Sequence, residues 1–201
     1  MTHTLNRTGL SEARPGEEII ILCMVRQAEK AQKMEEMKEI ARAVLGHEPE
    51  NVIGRPLGLD DETIEMMAPM TGIITAVFAR TDDALKVVKA IKSRKPGISV
   101  VLSGLFSDVH DICDCAGLKE HTHHISLGIH GKTERLPDSK TMEITTQCGH
   151  SLIASNLVAA LLKKIRKGKM TAEEAAMLLA KPCACGIVNT KRVKEILEGM
   201  I

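Results

Sequence analysis

The sequence predicts an α/β fold: a mainly parallel sheet of about four or five strands with flanking helices, then a helical, cysteine-bearing C-terminal portion. Three observations predict it. Apolar runs at residues 18–25, 72–79 and 98–102 are continuous rather than alternating, as in strands covered on both faces. Between the last two lies a helical pattern of about three turns, the length of a crossover between parallel strands. After residue 147 the strand signals stop and apolar residues recur at helical spacing. An α/β body over 1–147 and a helical portion over 148–201 follow from that change.

In chain order, residues 1–16 are polar and contain Gly9, Pro15 and Gly16, which predicts a loop or arm. The strand at 18–25 gives way at Gln27 to a helical period, with Met34, Met37, Ala41 and Val44 on one face and Gly46 as a stop. Residues 46–59 read as loop. Asp60, Asp61 and Glu62 open a short helix expected to end before Pro69. After the strand at 72–79, Thr81 and Asp82 begin a helix whose face is Leu85, Val88 and Ile91. The strand at 98–102 leads to a short helix from Leu105 to Ala116, closed by Gly117. Residues 121–131 alternate loosely and read as an edge strand, and Met142 to Thr146 as a last short strand. Leu152, Ile153, Leu157, Leu161 and Ile165 mark the next helix. Thr171 and Glu174 form a capping box, and Asn189 or Thr190 caps a final helix.

Composition narrows the function. A formal net charge of +1 provides no field for nucleic acid. The absence of Trp and Tyr, with only two Phe, removes the stacking platforms of single-strand binders. No apolar run approaches a membrane span, and the N-terminal residues lack the apolar core of a signal peptide. The expectation is a cytoplasmic protein with no membrane insertion, in a compartment that keeps its six cysteines reduced.

Those cysteines are the chemical centre. Cys148 is expected at a helix start, where amides and the dipole favour a thiolate. Cys183 and Cys185 fall in a turn after Pro182. Three thiolates at one locus suit iron–sulfur ligation, with a 4Fe-4S cluster expected. Cys113 or Cys115 would be the fourth ligand, Cys115 having the greater reach. Zinc is the alternative, held by Cys148, His150, Cys183 and Cys185. Cys23 lies in the first strand and reads as core.

The pattern C-G-H at 148–150, then C-x-C-G-x-x-N at 183–189, resembles uncharacterised iron–sulfur-type proteins of anaerobic archaea and bacteria, methanogens included. The resemblance extends back through Ser126-Leu127-Gly128-Ile129 and Leu136-Pro137. It implies an anaerobic host and oxygen-sensitive metabolism, with corrinoid methyl transfer as one conceivable target.

Two further constellations precede the cysteines. His121, His123, His124 and His130 form a nitrogen-rich stretch suited to metal binding or proton transfer. Gly131-Lys132-Thr133 resembles the end of a phosphate loop, but Ser126 stands where a glycine is required and Pro137 blocks the following helix. Use of ATP or GTP is therefore not expected. Two functions remain. One is a redox- or oxygen-responsive iron–sulfur protein that binds another protein or enzyme complex. The other is an iron–sulfur enzyme of lyase or isomerase type in which His124 or His150 moves a proton.

Overall fold

A computed structural model describes residues 7–11 and 13–201; the rest of the expected N-terminal arm lies outside the described residues. The fold is α/β, built on one four-stranded sheet in the order β2-β3-β1-β4. The central strand β1 (Ile19–Met24) is antiparallel to both β3 (Ile73–Phe78) and β4 (Ser99–Ser103), and β3 is antiparallel to the short β2 (Asn51–Val52). The mainly parallel sheet expected from the sequence is therefore corrected to an antiparallel one. The strand–helix–strand unit exists and its two strands point the same way, but β1 lies between them. A continuous apolar run reports that both faces of a strand are covered; it carries no information about a neighbour's direction. Nor does a two-residue strand such as β2 leave a periodic trace.

Side chains alternate across β1. Ile19, Ile21 and Cys23 face one core, and Ile20 faces the other. The first core is closed by α1 (Met34–Leu45), α2 (Asp61–Thr71), α3 (Thr81–Arg94) and α4 (Phe106–Cys115). Met37, Ile40, Ala41 and Val44 form the buried face of α1, and Ala84, Val87, Val88 and Ile91 that of α3. Each large aliphatic side chain buried here contributes roughly 1.5–3 kcal/mol. Helix α2 runs through Pro69 to Thr71 instead of ending before it. The proline sits in the last turn, where one missing amide costs a single bond.

The second core covers the opposite face. It gathers Ile20 and Val77 from the sheet with α5 (Ser139–Thr145), α6 (Ser155–Arg166), α7 (Ala172–Ala180) and α8 (Thr190–Glu198). The strand expected at 142–146 is α5, because the Asp138 carboxylate accepts from the Thr141 amide and starts a helix there. Its Ile144 packs with the helical portion. The edge strand expected at 121–131 is irregular chain. The expected capping box of α7 is present, and Asn189 caps α8.

A buried ionic group ties this second layer to the sheet. The Arg7 guanidinium lies 2.5 Å from Glu18, and Arg192 lies 3.4 Å from Glu18 and 3.7 Å from Glu143. Arg192 also donates to the Thr8 carbonyl at 2.6 Å. Two arginines and two glutamates balance in charge, as burial requires. Among the described residues no helix is long and apolar enough to cross a membrane.

Candidate metal centre

Two loops carry the C-terminal cysteines. The first joins α5 to α6 and holds Cys148 in a turn closed by the Ser151 amide on the Cys148 carbonyl at 2.9 Å. Cys148 thus follows a helix, and the next helix begins only at Ser155, which corrects the expected helix-start position. Amides still reach the sulfur, because Ser151 takes a left-handed conformation (φ 57°) and the chain folds back. The Cys148 sulfur accepts from the backbone at His150 and Leu152.

The second loop joins α7 to α8. The Gly186 amide donates to the Cys183 carbonyl at 3.0 Å, and Gly186 adopts φ 61°. A Cβ at Gly186 would stand 2.0 Å from the carbonyl carbon of Val52, so glycine lets this loop lie directly on β2. The Thr75 hydroxyl donates to the Cys185 carbonyl, and the Asn51 amide donates to the Val188 carbonyl at 3.1 Å.

Arg7 joins the two loops. It donates to the Gln147 carbonyl at 2.5 Å and to the Ile187 carbonyl at 3.0 Å, one residue before Cys148 and two after Cys185. The Gln147 side chain adds a bond from the Asn189 amide at 2.9 Å.

The sulfurs behave as one electrostatic unit. A hydrogen bond from the Cys183 thiol, helped by the Leu152 and His150 amides, brings Cys148 from its ordinary 9.0 down to about 5, against the opposing effect of burial. The same bond, and then burial, push Cys183 up, so Cys183 stays a donor and Cys148 carries the charge. Burial, and then the Cys148 charge, raise Cys185, whose sulfur lies 3.8 Å from His150 Nδ1. A cavity of about 350 Å³ opens on Cys148, lined also by Ile129, Leu136, Met142, Thr146 and Ser151. Among the described residues no three His, Cys, Asp or Glu side chains are grouped as a single metal ion would need.

The other candidates lie elsewhere. Ile112 of α4 and Ala116 just after it pack into the first core, on the far face of the sheet. Burial, and then the charge of Glu120, raise the Cys113 thiol, while Cys115 is exposed. The structure does not bring either one to the three C-terminal sulfurs as a fourth ligand. Cys23 is fully buried, and burial pushes it up to about 12, as for a core thiol. His124 lies in exposed irregular chain, His121 meets Thr122, and His130 Nε2 meets the Leu127 carbonyl at 2.6 Å. His123 instead faces His110 and Phe106. Sequence reasoning missed Arg7, Asn51 and Thr75, whose partners are more than a hundred residues away. Compared with known proteins, the chain matches no family model, no curated protein and no solved structure.

Proposed function

We propose that the protein is a cytoplasmic iron–sulfur-binding protein in which Cys148, Cys183 and Cys185 hold the cluster. In this reading it is a redox- or oxygen-responsive partner of a larger anaerobic enzyme system. The observation that carries the reading is the clamp: Arg7 fixes two cysteine loops against each other, with backbone donors turned to the Cys148 sulfur. Amides aimed at sulfur are what an anionic cluster needs in a buried setting. The protein's share of the chemistry is to hold the sulfurs, supply hydrogen bonds and limit water to the side facing the cavity. The scarcity of aromatic side chains favours a partner role over an elaborate substrate site.

Zinc is a second reading, favoured by one distance. In tetrahedral coordination a thiolate and an imidazole on one zinc stand roughly 3.6 Å apart. The Cys185–His150 separation of 3.8 Å is close to that. Anaerobic purification with iron, sulfide and zinc analysis separates the two. The expected protein is coloured and holds iron and sulfide, both lost in the Cys183→Ser, Cys185→Ser double variant. One zinc in a colourless protein supports the second reading, and full iron retention in the double variant overturns the assignment of the ligands.

A further inference from the structure

The segment after α4 brings a second set of titratable side chains together, on the opposite side of the sheet from Cys148, Cys183 and Cys185. His110 on α4 and His123 in the irregular chain have ring centres 5.7 Å apart and ring planes at 88°. Phe106, one turn before His110, stacks on His110 at 5.9 Å and meets His123 edge-on at 5.7 Å. His110 Nδ1 meets the Glu120 carboxylate. Glu120 is in turn fixed by a hydrogen bond to its own backbone amide, and the Cys113 thiol packs against it. His110 is about half exposed, at 48%, so its outer nitrogen can be reached from solvent.

We propose that His110 and His123 form a metal site of their own, for a divalent first-row cation of borderline softness such as Zn²⁺, Co²⁺ or Ni²⁺. Two imidazoles sharing an ion at about 2.1 Å from each nitrogen hold their ring centres roughly 5–6 Å apart, which is the observed spacing. The Glu120 contact occupies Nδ1 of His110 and leaves Nε2 for the ion. A carboxylate behind a ligating imidazole fixes its tautomer and raises its basicity. Imidazole donors suit these cations better than calcium or magnesium. The two histidines are the whole protein share of the coordination sphere, and water or a small anion completes it. The site therefore needs no third side chain. Phe106 shields one side of the pair and limits rotation of both rings.

The site uses no cysteine ligand, so it stands or falls independently of the iron–sulfur reading. The test is a Zn²⁺ titration of the full chain, followed by the imidazole nitrogen resonances in NMR. The His110 and His123 signals should move together and saturate with one ion per pair. His123→Gln should weaken the response at His110 at least tenfold. Glu120→Gln should weaken it tenfold to a hundredfold, the range for carboxylates behind a metal-binding histidine. His123 is exposed and Glu120 partly exposed, and neither belongs to an apolar core, so the variants should fold. The Cys148→Ser variant should leave the histidine response in place. The proposal is overturned if the two histidines respond at different zinc concentrations, if neither responds, or if His123→Gln leaves His110 unchanged.

Discussion

On one face of the sheet, Met37, Ile40 and Val44 of α1 and Val87 and Ile91 of α3 meet Ile19, Ile21 and Phe78 as an aliphatic layer. On the other face, Ile20 and Val77 meet four helices that also need Arg7, Glu18, Glu143 and Arg192 to hold them in place. The first layer is assembled from neighbours in sequence, and apolar area alone drives it. The second joins distant segments through charges that are worth little unless all are present. The aliphatic layer therefore tolerates local damage, whereas the polar tie fails as a unit. The cysteine loops hang from that tie.

The largest effect should come from breaking it. Arg192→Ala leaves Glu18 and Glu143 short of a buried cation and should cost about 3–5 kcal/mol in urea unfolding. Glu18 already has one carboxylate oxygen with no hydrogen bond among the described residues, so the site has little capacity to adapt. Ile40→Ala, in the first core, should cost about 2–5 kcal/mol. It should leave metal retention per folded molecule unchanged, whereas Arg192→Ala should lower it. Equal metal loss in the two variants would erase the distinction between the layers.

A smaller break is local. Gly186→Ala forces a left-handed conformation costing roughly 1–2 kcal/mol. It also drives a methyl into the Val52 backbone, so the Cys183–Cys185 loop must lift from β2. Iron per protein should fall while the urea midpoint moves only modestly. A variant with full iron would separate loop docking from metal retention.

The smallest effect is a pH dependence in the metal-free protein. Cys148 has its folded value near 5 against an ordinary 9.0, so between these the unfolded chain holds a proton that the folded one has released. Stability from this group is fully present above about 9 and is lost as pH falls towards 5. Cys183 acts oppositely: its folded value is raised, so above about 9 the unfolded chain gives up a proton that the folded one keeps. Thermal unfolding should therefore show a rise from pH 5 to 9 that Cys148→Ala removes. An identical slope in that variant would place the charge elsewhere.

What was legible in the sequence follows from range. The capping box of Thr171 and Glu174 acts over three residues, and the apolar run of β1 is itself the buried strand. Asp138 caps α5 in the structure, whereas the short apolar segment at 142–146 reads as a strand in the sequence. The sheet order was not legible, because nothing in β3 or β4 says that β1 lies between them. At the candidate site, the cysteine spacings were visible but their setting was not. The turn at Ser151 and the seat of Gly186 on β2 depend on tertiary contacts. Arg7 stands in a polar arm without periodicity, and its partner carbonyls are 140 and 180 residues away.

Those separations bear on the order of assembly. Arg7 cannot close on Ile187, nor Glu18 on Arg192, until residues 187 and 192 have been synthesised. The aliphatic layer, complete by α4, needs nothing made after residue 116 and can collapse while the ribosome is still adding the helices of the second layer. Contacts of such high sequence separation form late because chain closure opposes them. During that interval the Cys148 turn exists without its partner loop, and its sulfur is open to any oxidant or stray metal. A chain stopped before α8 would expose Cys148 and Cys183, which the folded protein keeps buried.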